Sequence, residues 1–81
     1  MEDNIIVLYE NKKLIIQTSS VITKGLLKVV DRYNLEHEYF SHDISNTDFI
    51  RINANLPVGK LQVQIITTHN KMVKNIIINQ R

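Results

Sequence analysis

The clearest indication of the fold lies between Leu56 and Ile65, where the sequence reads LPVGKLQVQI. Its first four residues predict a turn, because Pro57 presets φ and Gly59 supplies a positive φ. From Leu61 onward, apolar residues alternate with two glutamines, which is the period-two pattern of a strand with one buried face. A turn that leads directly into a half-buried strand favours an antiparallel sheet.

Short apolar runs separated by turn residues extend outward from this stretch over the rest of the chain. The 81 residues include 13 isoleucines, and β-branched side chains favour strands over helices. We predict seven strands, at about Asn4–Tyr9, Lys13–Thr18, Leu26–Asp31, Glu36–Phe40, Asp48–Asn53, Lys60–Thr67 and Met72–Asn79. Their spacing predicts one domain over residues 1–81, a small immunoglobulin-like antiparallel β-sandwich.

Several local expectations accompany this fold. Asn11 and Asn70 are placed in the first and last hairpin turns, because asparagine tolerates a left-handed φ. Ile50 and Ile52 are expected to share one face of their strand. Three successive isoleucines, Ile76 to Ile78, predict a last strand that is covered on both faces or paired centrally.

One segment, residues 20–40, has an alternative interpretation. Ser20 could cap a helix whose apolar side includes Ile22 and Leu26. Gly25 and the pair Val29–Val30 argue against this helix, because glycine and β-branched residues are poor helix formers. We therefore retain strands here and keep the helix as the alternative.

The composition limits the classes of function that this chain can have. Of the 81 residues, 43% are hydrophobic and 22% are charged, as in ordinary globular domains. Ten Lys and Arg face eight Asp and Glu, a balance that does not predict a nucleic-acid partner. There is no cysteine, so no disulfide or thiolate site is available. The acidic N-terminus does not resemble a secretory signal, so we expect either an intracellular protein or a piece of a longer precursor.

The polar cluster with the most potential for chemistry lies between Glu36 and Asp43. Its two histidines, His37 and His42, and its carboxylates could bind a transition metal. On a strand, however, His37 and Glu38 point to opposite faces, and we place His42 beyond the strand end. The favoured interpretation is an exposed edge whose charges deter edge-to-edge pairing.

Other kinds of active site lack the residues that they need. The serines have no nucleophile-elbow motif, and two glycines cannot form a phosphate-binding loop. The sequence therefore predicts no enzyme, no catalytic residue, no metal and no cofactor.

The segment Phe49–Thr68 resembles the second half of the C-terminal sorting domains of the type IX secretion system of Bacteroidetes. Leu56, Pro57 and Gly59 match that family's turn, and Val63 and Ile65 match its following strand. The closing strand of the family is similar to residues 74–78, and its earlier strands are similar to residues 13–16 and 27–34. Leu61 departs from the family, which has an aromatic residue there.

The resemblance implies a non-catalytic sorting domain at the C-terminus of an exported cargo protein. Such a domain crosses to the periplasm with its cargo, and the translocon shuttle and sortase proteins of the outer membrane recognise it. The implied location is secreted or cell-surface. By resemblance, the residues recognised by the translocon are Leu56, Pro57, Gly59, Lys74, Ile76, Ile77, Ile78 and Arg81. For Pro57 and Gly59, maintenance of the fold is an alternative of equal weight.

Two other functions stay open. The first is a small immunoglobulin-like binding or adhesion module of a secreted bacterial protein, whose loops contact a protein or a glycan. The second is a free-standing cytosolic protein that starts at Met1. For the isolated module without its cargo, exposed sheet edges favour a homodimer or strand exchange.

Overall fold

A computed structural model describes residues 5–79, and these residues form an all-β fold of five antiparallel strands. The strands are β1 (Ile5–Glu10), β2 (Lys13–Asp31), β3 (Asn34–Asn53), β4 (Gly59–Thr67) and β5 (Lys71–Ile78). The described residues contain no helix, so the helical alternative for residues 20–40 is wrong. Within this range, no helix is long and apolar enough to cross a membrane.

The predicted count of seven strands is not observed, because two pairs of predicted strands are continuous. The second and third predicted strands both lie in β2, and the fourth and fifth both lie in β3. β2 and β3 stay paired across the intervening residues, with a shift in register between Gln17 and Ile22. The Gln17 and Thr18 side chains donate hydrogen bonds to the Asp48 carbonyl at this shift. The Asp48 carbonyl therefore has side-chain hydrogen-bond partners where the main-chain pairing of the two strands is irregular.

The long strand β2 is the centre of the sheet. β3 pairs with one side of β2 along most of its length. On the other side, β1 pairs with residues 13–18 and β4 pairs with residues 25–31, and β5 then pairs with β4. The sheet curls into a half-barrel, because its two halves must cover each other's apolar face.

The core lies inside this curl and forms a single cluster within the described residues. Leu61, Val63 and Ile65 are fully buried, which confirms the alternation predicted for this strand. Gln64, on the opposite face, is also buried, and its amide donates to the Gln62 side chain at 2.8 Å. The first half of the chain contributes Ile5, Leu14, Ile16, Leu27 and Val29 to the cluster.

The first hairpin turn is as predicted, since Asn11 has a φ of 53° and Lys12 a φ of 61°. The last hairpin is also present, between β4 and β5. It is closed by Thr67, whose main-chain N–H donates to the Asn70 carbonyl at 2.8 Å. Asn70 is not among the described residues with a positive φ, so the expected left-handed conformation is not used there.

Candidate functional site

The strand register brings together the two segments that the sequence singled out. Gly59, at the start of β4, lies opposite Ile78, near the end of β5. The next pair along the ladder is Lys60 and Ile77. The turn before β4 and the end of β5 therefore form one end of the half-barrel.

The four residues of the turn differ in what they present to solvent. Leu56 is buried in the core, Pro57 and Gly59 are half-buried, and Val58 is exposed. Gly59 has a φ of 140°, as its place in the predicted turn required. Leu56 is thus a packing residue in the folded chain, and the accessible side chain of this turn is Val58.

A residue that the sequence did not indicate holds this turn in place. The Tyr9 hydroxyl donates to the Ala54 carbonyl at 2.7 Å and accepts from the Leu56 N–H at 3.1 Å. Tyr9 comes from β1, 45 residues before Ala54 in the chain. Alternation in β1 could have shown that Tyr9 faces inward with Ile5 and Val7, where its hydroxyl needs a partner. Its partners could not be named, because nothing local relates β1 to residues 54–56.

The end of β5 alternates between the core and solvent. Ile78 is buried and Ile76 is half-buried, whereas Ile77 is 56% exposed. The expectation that this strand is covered on both faces or paired centrally is wrong. β5 lies at the end of the strand order, and its outer face has no second layer over Ile77 within the described residues.

Lys74 is exposed and lies four residues before Ile78. It is opposite Val63, so it occupies a position in the row that faces the interior. Arg81, the last residue of the predicted site, lies outside the described residues.

A groove separates β5 from β1, and we call it the β1–β5 groove. Its volume is about 400 Å³, and Cα atoms of the two strands approach within 8 Å across it. Within residues 5–79, each of these strands is paired on its other side only. The lining side chains are mainly apolar and belong to Val7, Leu8, Tyr9, Ile76, Ile77 and Ile78. Unpaired main-chain groups beside apolar side chains are what the addition of an extended peptide uses.

Arg32, in the turn after β2, forms hydrogen bonds with both β4 and β5 at this end of the sheet. Its main-chain N–H donates to the Lys60 carbonyl at 3.1 Å, and its Nη2 donates to the Ile76 carbonyl at 2.8 Å. The side chain thereby crosses β4 to reach β5. Its buried Nε has no hydrogen-bond partner.

The histidine and carboxylate cluster lies on β3, in an exposed part of that strand. β3 continues to Asn53, so the placement of His42 beyond a strand end is wrong. Glu38 forms an ion pair with Lys28 at 3.5 Å, and the His37 ring contacts that of Tyr39. Among residues 5–79, no three His, Cys, Asp or Glu side chains are grouped to hold a metal ion.

A second cleft, with both polar and apolar lining residues, lies at the other end of the β4–β5 hairpin. Its volume is about 370 Å³. Its lining includes Ser20, Thr23, Lys24, Thr68, His69 and Asn70. The cleft lies between residues 20–24 of β2 and the last hairpin turn.

No protein-family model matches this chain, and no curated protein matches it significantly.

Proposed function

We propose that this chain is a non-catalytic sorting domain of the type IX kind, which directs an exported cargo protein through the outer-membrane translocon to the cell surface. The support for this proposal begins with the sequence resemblance over residues 49–68. The single structural observation that carries it is the register that sets Gly59 opposite Ile78. The two segments that the resemblance assigns to recognition thereby share one surface instead of lying apart.

On this proposal, the recognised surface consists of the exposed side chains at that end of the half-barrel. Val58 and Ile77 are accessible there, whereas Leu56 and Ile78 support them from the core. Lys74 is exposed farther along β5, opposite Val63. Translocon shuttle and sortase proteins would read this folded surface, and an edge strand is a suitable element for such recognition. The location that follows is the periplasm and then the cell surface.

The proposal also includes the finer fold. If the two halves of β2 and of β3 are counted separately, the seven predicted segments form two walls. One wall contains β1, residues 13–17 of β2 and the part of β3 that pairs with them. The other wall contains the remaining parts of β2 and β3, together with β4 and β5. We interpret this arrangement as an immunoglobulin-like sandwich whose walls are joined by continuous strands.

An export assay tests the function. Residues 1–81 are fused to the C-terminus of a fluorescent reporter with a signal peptide, in a bacterium that has type IX secretion. Deletion of residues 76–81 is a poor probe, because it removes the buried Ile78 and unfolds the sheet end. The better variant is Ile77→Asp, with Val73→Asp as its control, since both side chains lie on the outer face of β5 and are 56% and 50% exposed.

We expect the wild-type and Val73→Asp fusions at the cell surface, and the Ile77→Asp fusion in the periplasm in folded form. Circular dichroism of the isolated domains checks the fold. A wild-type fusion that is folded but stays in the periplasm contradicts the sorting function.

The second candidate is a binding or adhesion module, and the cleft beside Ser20 and His69 favours it. Hydroxyl, amide and imidazole groups around an open cleft suit a glycan or a polar peptide. A glycan array with the wild-type chain tests this function, with Thr68→Val and His69→Ala as variants. Binding that both variants abolish would support it, and no binding on the array would count against a glycan ligand.

A further inference from the structure

Three strands in the described part of the chain have only one hydrogen-bonded neighbour over their length. β1 pairs with β2 only, β3 with β2 only, and β5 with β4 only. Each therefore presents a row of main-chain N–H and C=O groups that can pair with another strand. Natural sheets protect such edges with charged side chains, above all with lysine.

Two of the three edges carry this protection. β3 presents exposed acidic residues, among them Glu36, Glu38 and Asp43. β5 carries Lys71 and Lys74, both exposed, and Lys74 occupies an inward-facing position opposite Val63. An inward-pointing charge on an edge strand is a known device against pairing.

β1 lacks this protection. From Ile5 to Tyr9 it has no charged side chain, and its single charge is Glu10, at its last residue. Ile6 and Leu8 are 59% and 57% exposed on its outer face. The β1–β5 groove runs beside Val7, Leu8 and Tyr9. Across it β5 comes within 8 Å of β1 without being hydrogen-bonded to it, so a second strand pairs with this edge by widening the groove.

We propose that β1 is a self-association edge, and that its occupant is β1 of a second copy of this chain. Antiparallel pairing about a two-fold axis at Val7 sets Ile6 opposite Leu8 of the second copy, and Leu8 opposite Ile6. Cross-strand pairs of this kind are stabilising. On the other face, Ile5 meets Tyr9 of the second copy. No charge meets a like charge in this register.

Self-complementarity distinguishes β1 from the other edges. Two β5 strands would bring the Lys71 and Lys74 ammonium groups of both copies close together, and two β3 strands would gather carboxylates. On the outer face of the sheet, the exposed apolar side chains of β1 are followed by Ile15 of β2, which lies opposite Leu8. The paired sheets therefore share a continuous apolar face across the two-fold axis.

The predicted dimer is weak. A six-residue strand spans about 20 Å, and an interface of one strand pair falls below the roughly 1,000 Å² of stable interfaces. The association is therefore expected in the micromolar to millimolar range of dissociation constants.

Sedimentation equilibrium of the full 81-residue chain tests the proposal, at concentrations up to about 1 mM. The test variant is Ile6→Lys combined with Leu8→Lys, which places lysines on the outer face of β1 without entering the core. One control is Val21→Lys, at a site that is 61% exposed on β2. The second control is Phe49→Ser, because Phe49 shares the outer face but belongs to β3, two strands from the β1 edge. Circular dichroism confirms that each variant is folded.

We expect a monomer–dimer equilibrium for the wild type and both controls, and dimerisation at least roughly tenfold weaker for the double lysine variant. A wild-type chain that stays monomeric throughout overturns the proposal. So does a dimer that survives the double substitution. A dimer that Phe49→Ser abolishes also overturns it, because stacking of the outer faces then holds the copies together.

Hydrogen exchange on the wild type supplies a readout that does not depend on any variant. Main-chain amides of β1 that point away from β2 should exchange more slowly as the protein concentration rises, whereas amides on the open edge of β5 should not slow. Slowing confined to β5 would place the contact on the wrong strand and refute the assignment.

Discussion

The Tyr9 hydroxyl is the clearest case in which one polar atom fixes a distant segment. It bonds to both Ala54 and Leu56, and the Leu56 residue is buried. We predict that Tyr9→Phe lowers the free energy of unfolding by about 1–3 kcal/mol, because the Leu56 N–H loses its partner. Urea denaturation measures this change.

Tyr33→Phe is the matched control for that substitution, because Tyr33 is largely exposed and its ring contact with Lys60 survives the change. We expect this control within about 0.5 kcal/mol of the wild type. Equal stabilities of the Tyr9→Phe protein and the wild type would show that the hydroxyl does not hold the turn.

Glycine is required at position 59 because of the backbone conformation there, and not because a side chain would lack space. An added Cβ would have no neighbour within 4 Å, but the φ of 140° is one that L residues rarely adopt. Gly59→Ala should therefore cost about 1–3 kcal/mol of unfolding free energy, measured by thermal or urea denaturation. Val58→Ala, at the exposed neighbouring position, should change little. A Gly59→Ala protein as stable as the wild type would mean that this end of β4 rearranges freely.

Among the strands, the pairing of β2 with β4 depends on Gly25, which lies at one end of their ladder, opposite the last residue of β4. Gly25 is opposite Ile44 on one side and Thr67 on the other. A Cβ at Gly25 would lie 3.0 Å from the Ile66 carbonyl oxygen and 3.2 Å from the Ile22 side chain. These contacts are tighter than ordinary van der Waals contacts, so a methyl group at Gly25 would require its neighbours to shift by a few tenths of an ångström.

We predict that Gly25→Ala destabilises the protein by about 1–3 kcal/mol, because the strands must move apart. The local signature is faster hydrogen exchange at the β2–β4 junction, including the amides near Thr67. Thr23→Ala, on an exposed residue of the same strand, is the control. Unchanged exchange at the junction in the Gly25→Ala protein would contradict this account of the approach.

At the scale of the whole molecule, the topology sets the folding rate. β2 must pair with β1, β3 and β4, and the β2–β4 ladder joins Gly25 to Thr67. Sheets with such non-local contacts fold slowly, because loop closure precedes the stabilising contacts. We predict refolding in milliseconds to seconds at 25 °C by stopped-flow fluorescence of the tyrosines. Refolding within microseconds would be inconsistent with this topology.

The candidate site was only partly predictable from the sequence. Its residues could be proposed, because Pro57 and Gly59 mark a turn locally and the run at Ile76 marks a strand. That the turn and this strand end lie side by side could not be predicted, because the pairing of Gly59 with Ile78 depends on the register of a whole hairpin. The burial of Leu56 and Ile78 and the exposure of Ile77 likewise depend on which face the rest of the sheet covers.

The all-β class, the alternation in β4, and the turns at Asn11 and Gly59 could be predicted from the sequence alone, because each follows from the conformational preference of a few neighbouring residues. Tertiary contacts were needed to establish that seven short segments join into five strands, and that β2 lies at the centre with β5 at an end. They were also needed to establish that Tyr9 reaches Ala54 and that β1 keeps an unprotected edge. These features arise from pairings between residues far apart in the chain, and such pairings are selected by burial of the shared core and not by local propensity.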